Sequence, residues 1–126
     1  MIKYIFYKWD AFNDGDIELL AKIEEPYDYL SMIFEGNESL DKIQKLIDEI
    51  TKVKNGELED FYFGNDNGFS AVAAQANPND ETEGEEGVYI YDAFGKEPET
   101  ALFIVPLDDM LKLLKEFKEF LGDNKR

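Results

Sequence analysis

Carboxylates and tyrosines are concentrated between residues 80 and 92, and these side chains have the clearest chemistry in the sequence. The segment contains Asp80, Glu81, Glu83, Glu85, Glu86, Tyr89, Tyr91 and Asp92. A carboxylate attracts a cation, and a tyrosine beside it offers a ring face to the same cation and a hydroxyl for hydrogen bonding. These residues therefore predict a surface that meets arginine and lysine side chains. Asp66, in a turn, is a further candidate for that surface.

Catalytic side chains of the commonest kinds are missing from the sequence. The chain has no histidine and no cysteine, which removes the usual general base near neutral pH and the thiolate nucleophile. With 29 acidic residues, carboxylate pairs are unavoidable, so no single pair is indicated as a glycosidase pair. We expect no catalytic residue and no enzyme activity. An enzyme that works through carboxylates alone is the alternative.

Two short tetrads, Asn13–Asp16 and Asn65–Gly68, resemble pieces of a calcium-binding loop. The register of an EF-hand does not fit them, however. With its glycine at Gly15, the loop would place Phe12 at its third position and Ala21 where the bidentate glutamate belongs. Ordinary turn chemistry accounts for both tetrads. We therefore expect no metal and no cofactor, with a calcium-binding module as the alternative.

The formal net charge is −16, far beyond the magnitude of about 2–8 that keeps a small domain soluble. Nucleic acids and anionic membranes are repelled by such a surface, whereas a basic protein is attracted to it. The charge thus predicts a basic protein partner, no nucleic acid and no membrane. Bulk solubility is the alternative explanation. The apolar N-terminal run Ile2–Trp9 is too short for a signal peptide or a membrane span, which predicts a cytoplasmic location.

Apolar residues at three- and four-residue steps predict two helices that would support this surface. The first runs from Leu40 to Val53, with Asn37 or Ser39 as its cap and Asn55-Gly56 as its end. The second runs from about Leu107 to Leu121 and ends at Gly122.

The remaining apolar segments predict strands of an antiparallel meander. They are 2–9, 17–23, 27–34, 58–63, 69–76, 88–94 and 101–105. Segment 17–23 also contains good helix formers, so its type is left open. Turn residues fall at 13–15, 64–68 and 95–99. We predict a single α+β domain over residues 1–126, with a sheet of about five to seven strands and two helices packed on one face.

Charge is distributed unequally over these predicted elements. Residues 40–54 and 107–121 together contain seven acids and seven bases, so the whole negative excess lies outside the helices. If helices cover one face of the sheet, the acids belong to the other face and to the loops. Alternation along 88–94 places Val88, Ile90 and Phe94 on one face, and Tyr89 and Tyr91 on the other. The two tyrosines are therefore predicted to be exposed among the acids.

In its size, its lack of cysteine, its strand Val88-Tyr89-Ile90-Tyr91-Asp92 and its acidic run Asp80–Glu86, the chain resembles the immunity proteins of bacterial toxin systems, including contact-dependent growth inhibition. The resemblance implies a cytoplasmic inhibitor that binds and neutralises a basic cognate toxin. Many such toxins are nucleases with basic clefts, which an acidic face would cover. An acidic interaction or adaptor domain for another basic protein is the alternative.

Overall fold

The computed structural model describes residues 2–10, 17–34, 39–65, 68–76 and 84–124. It confirms the α+β class, with six strands, two α-helices and one 3₁₀ helix within these ranges. In chain order the elements are β1 (Tyr4–Trp9), β2 (Glu18–Ile23), the 3₁₀ helix (Asp28–Phe34), α1 (Leu40–Lys54), β3 (Asp60–Gly64), β4 (Phe69–Ala74), β5 (Gly87–Asp92), β6 (Phe103–Val105) and α2 (Leu107–Asp123).

The strands divide into two antiparallel sheets. β1 and β2 form a two-stranded ribbon in which Tyr4 lies opposite Ile23 and Trp9 opposite Glu18. β3, β4, β5 and β6 form a four-stranded sheet in that order. Each strand of this sheet pairs with the next one in sequence. Segment 17–23, whose type the sequence leaves open, is thus a strand.

The prediction of a strand at 27–34 is wrong, because most of this segment forms the 3₁₀ helix. Leu30, Ile33 and Phe34 are buried, and the three-residue spacing of Leu30 and Ile33 places these two on one side of that helix. The helix links the two sheets. The Asn65 side-chain amide, at the end of β3, donates a hydrogen bond to the Met32 carbonyl at 2.8 Å.

Both α-helices begin and end near the predicted residues. The Ser39 hydroxyl accepts a hydrogen bond from the Lys42 N–H at 3.5 Å, which caps α1. Gly56, whose φ is 82°, follows its last turn with a backbone conformation that glycine adopts without strain. α2 extends two residues beyond the predicted end. None of the helices within the described ranges is both long and apolar enough to cross a bilayer.

One hydrophobic core joins the helices to both sheets. In the four-stranded sheet, its inner face contributes two rows across the strands. They are Phe61, Ala73, Val88 and Val105, and Phe63, Ala71, Ile90 and Phe103. From the ribbon, Phe6 packs its ring against those of Phe34, Phe117 and Phe120. Phe94, predicted to share the inner face, instead lies in a turn beyond β5 and is 76% exposed.

Candidate protein-binding surface

Five carboxylates lie at one end of the four-stranded sheet. Because the strands alternate in direction, β3 and β5 both begin at the end where β4 finishes. Asp60 is opposite Ala74, and Ala74 is opposite Gly87, so two strand spacings of ~4.8 Å place these backbones about 10 Å apart. We call the carboxylates at this end the acidic end. Its members are Glu57, Glu59, Asp60, Glu85 and Glu86.

All members of the acidic end are exposed, and none of them forms an ion pair with another described residue. Lys52 and Lys54 precede it in the chain, at the C-terminus of α1. Lys52 pairs with Glu49 at 3.3 Å, however, and Lys54 pairs with Asp108 at 2.6 Å. The lysines next to the acidic end in sequence therefore contact carboxylates of the helices, and the acidic end keeps its negative charge.

The two α-helices are nearly balanced in charge over their observed lengths. Together, α1 and α2 contain eight acids and seven lysines. The charge asymmetry expected from the sequence thus applies to the observed helices, and the acidic end contrasts with them.

Tyr62 gives the acidic end an exposed aromatic side chain. Alternation along β3 places Phe61 and Phe63 on the inner face and Asp60 and Tyr62 on the outer face. Tyr62 is 69% exposed. A tyrosine ring two residues from a carboxylate on one face can contact the stem and the charge of an arginine together.

The prediction that Tyr89 is exposed is wrong, because only 1% of this residue is accessible. It does lie on the outer face, between Val72 and Ile104 in the strand register, but that part of the face is covered. Its hydroxyl donates to the Glu85 carbonyl at 2.6 Å and accepts from the Glu85 N–H at 3.0 Å. Tyr89 therefore holds the backbone of the acidic end and offers no surface for a partner.

Tyr91 is half-buried and lines a cleft of about 440 Å³ beside β6. The other described residues of this cleft are Tyr89, Glu99, Thr100, Ala101, Phe103 and Ile104. Glu99 is the one carboxylate among the described residues of this lining. Tyr91 thus lies in a depression of the sheet and not among the residues of the acidic end.

Asp92 lies at the other end of β5, six residues from Glu86, or about 20 Å along an extended strand. Its Oδ1 accepts a hydrogen bond from the Phe94 N–H at 3.0 Å. Burial raises the pKa of Tyr29, and the charge of Asp92 and a hydrogen bond to it raise that pKa further. Asp92 thus stabilises a turn and contacts the 3₁₀ helix. The structure does not bring it together with Glu85 and Glu86.

Several predicted residues lie outside the described part of the chain, namely Asp66, Asp80, Glu81 and Glu83. The first calcium-like tetrad, residues 13–16, lies outside it as well. Among the residues that the structure describes, no group of three or more histidine, cysteine or acidic side chains is arranged to hold a metal ion.

The sequence interpretation missed Glu57, Glu59, Asp60 and Tyr62 as members of the surface. The alternation of Asp60-Phe61-Tyr62-Phe63 could have predicted Asp60 and Tyr62. Two phenylalanines on one face of a strand leave the aspartate and the tyrosine on the other face. Glu57 and Glu59 carry no such pattern. Only the pairing of β3 with β4 and of β4 with β5 brings them to the same end as Glu85 and Glu86.

Comparison of this chain with known protein families, with curated proteins and with solved structures finds no match. The geometry and charge of the surface itself are therefore the basis for assigning it a role.

Proposed function

We propose that this protein inhibits a basic protein by binding it at the acidic end, in the manner of an immunity protein that neutralises a toxin. One observation carries the proposal. Five exposed carboxylates without ion pairs among the described residues lie around the start of β3 and β5, next to the exposed ring of Tyr62, on a protein whose helices are nearly neutral.

Electrostatic attraction accounts for the approach of the partner. Exposed carboxylates orient a basic surface before contact and can raise the association rate by ~10–10³. The Debye length is about 8 Å at physiological ionic strength, so added salt weakens this steering. Association of the partner is therefore expected to slow as salt rises, with a smaller effect on dissociation.

Contact at the surface accounts for the lifetime of the complex. Tyr62 supplies an aromatic anchor of the kind that dominates protein interfaces, and Asp60 on the same face pairs with the charge of an arginine or lysine. Glu85 enters the interface on a backbone that Tyr89 already fixes, so less conformational entropy is lost on binding.

Inhibition follows if the surface of the partner that binds this protein is also the surface that binds the partner's substrate. A nuclease binds phosphates with lysine and arginine side chains. Carboxylates of the acidic end would occupy those positions in place of phosphates. We therefore propose a basic cleft, such as that of a nuclease, as the target.

The test begins with capture of the partner from the native cell by the tagged protein, followed by calorimetry and an assay of the activity of the purified partner. A sheet variant combines Glu59→Gln, Asp60→Asn, Glu85→Gln and Glu86→Gln. A matched helix variant combines Asp41→Asn, Asp48→Asn, Glu119→Gln and Asp123→Asn, which removes the same number of exposed charges. We expect the sheet variant to lose affinity by about 100-fold or more, and the helix variant by less than about threefold.

Two outcomes would contradict the proposal. Equal losses in the two variants would mean that only total charge matters. A partner that stays fully active when saturated with this protein would show binding without inhibition, as expected of an adaptor domain.

A further inference from the structure

The outer face of the ribbon exposes an apolar stripe along β1. Tyr4 and Phe6 point inward, where Phe6 contacts aromatic rings of α2 and the 3₁₀ helix. The alternate residues point outward, and Ile5 is 62%, Tyr7 38% and Trp9 50% exposed. Three large apolar side chains in a row on one strand are more than the scattered exposed residues of an ordinary surface.

The charges on this face are ordered along the ribbon. Lys22 lies opposite Ile5, Leu20 opposite Tyr7, and Glu18 opposite Trp9. The face therefore has a positive end, an apolar middle and a negative end, and these two charges cancel. In a chain of net charge −16, a locally neutral face is not the surface that attracts a basic partner.

We infer that the outer face of the ribbon binds a second copy of this chain. Two such faces in contact can be related by a two-fold axis that lies between them. The axis would run perpendicular to the strands and pass over the Tyr7–Leu20 pair. Each β1 would then lie antiparallel to the β1 of the copy. Each Lys22 would then face Glu18 of the copy, and each Ile5 would face Trp9. Tyr7 and Leu20 would meet their own equivalents at the axis. The face is thus complementary to itself, as a two-fold interface requires.

The size of the face and the net charge of the chain set the strength of this dimer. A six-residue strand spans about 20 Å, and a two-stranded face of that length is smaller than the roughly 800 Å² per partner of a standard interface. The dimer is therefore weak and reversible. Long-range repulsion between two acidic chains opposes it, so added salt strengthens it.

Trp9 is the one tryptophan of the chain, so its fluorescence reports this face directly. Sedimentation equilibrium from about 5 to about 500 µM protein, at about 0.05 M and about 0.5 M NaCl, measures the association. We expect a monomer–dimer equilibrium that shifts toward dimer at the higher salt, with a blue shift of the Trp9 emission along the same concentration curve. Trp9→Ser should raise the dissociation constant about tenfold or more.

A charge exchange tests the two-fold arrangement. In Lys22→Glu, two glutamates would face each other across the axis, and in Glu18→Lys, two lysines would. Each variant alone is expected to stay monomeric, whereas an equimolar mixture forms a heterodimer in which both contacts join opposite charges. Lys45→Glu mixed with Glu119→Lys is the control, because it makes the same changes in net charge on exposed helix positions. These control variants should associate like the unchanged protein, with no gain on mixing.

A protein that stays monomeric at every concentration and salt would overturn the inference. So would a dimer that forms without a change in Trp9 emission, or a mixture of the two ribbon variants that stays monomeric. Circular dichroism of each variant confirms that the fold is retained. Binding of a basic partner at the acidic end is independent of these outcomes, because it uses the other sheet.

Discussion

The hydroxyl of Tyr89 makes two hydrogen bonds to the backbone of a single residue, Glu85, donating to its carbonyl at 2.6 Å and accepting from its N–H at 3.0 Å. The tyrosine is four residues further along the chain, inside β5, and its ring is buried. A buried side chain thus holds the backbone of Glu85, which carries an exposed carboxylate next to that of Glu86. The residue that the sequence suggests as a contact acts instead as the support of the surface.

Replacement Tyr89→Phe keeps the buried ring and removes both hydrogen bonds to Glu85. We expect a loss of about 1–2 kcal/mol in the free energy of unfolding, since backbone groups lose their partner. Urea unfolding measures this loss, and amide hydrogen exchange at Glu85 should become faster. Tyr62→Phe is the control, because Tyr62 is mostly exposed and should change stability by less than about 0.5 kcal/mol. Unchanged exchange at Glu85 would contradict the supporting role.

Tyr4 should make stability depend on pH in the alkaline range. Burial raises its pKa well above the ordinary value, and the hydrogen bond that Tyr4 donates to Glu116 and the charges of Glu116 and Asp109 raise it further. The folded protein therefore keeps a proton that the unfolded chain releases above a pH of about 10. Its contribution to stability is complete below that pH and is lost as pH rises toward the folded pKa.

The measurement is urea unfolding at several pH values between about 9 and 11 for the unchanged protein and for Tyr4→Phe. Other titrating groups are common to both proteins, so the difference between the two slopes isolates Tyr4. We expect a shallower decline in the variant. Parallel declines would mean that Tyr4 does not bind its proton more tightly in the folded state.

Neutralising the acidic end should stabilise the fold. None of its carboxylates gains an ion pair among the described residues, so their mutual repulsion is uncompensated. The sheet variant with Glu59, Asp60, Glu85 and Glu86 changed to amides is expected to gain a few tenths of a kcal/mol per removed charge at low salt. Thermal unfolding at low and high salt checks this, since the gain should shrink as salt screens the repulsion. A variant that is less stable would show that these carboxylates have structural partners.

Phe34 should contribute strongly to stability, because its ring centre lies 4.1 Å from that of Phe117 and its surface is fully buried. Replacement Phe34→Ala is expected to cost about 3–5 kcal/mol, the range for emptying an aromatic core site. Phe94→Ala, at a residue that is 76% exposed, serves as the control and should cost less than about 1 kcal/mol. Denaturant unfolding compares the two. Similar costs would place Phe34 outside the core.

Sequence signals predicted the elements that depend on local chemistry. The apolar stripe of α1, its Ser39 cap and the glycine after its last turn act within a few residues of one another, and the structure has all three. β3 ends at Gly64 and β4 begins at Phe69, so the two strands flank residues 64–68 as predicted. Such features depend on residues that are close together in the chain.

Elements decided by distant contacts were harder to predict. Segment 27–34 is rich in aromatic and apolar residues that suit a strand, yet it packs Phe34 against Phe117 and forms the 3₁₀ helix. Alternation assigned Tyr89 to the outer face correctly but could not show that this part of the face is covered. The acidic end is a product of strand pairing, since its members are separated by up to 29 positions in the chain.

The ribbon and the acidic end belong to different sheets, and this separation has a consequence for how tightly a target can be held. Two chains joined through their ribbons would display a pair of identical acidic ends. A target with two basic sites at a matching distance would then be bound at both, and such bivalency can raise the overall affinity by ~10²–10⁴ without any new contact. A target with a single basic site would show no such increase in affinity. Discrimination between targets would therefore depend on their number of basic sites as well as on their charge.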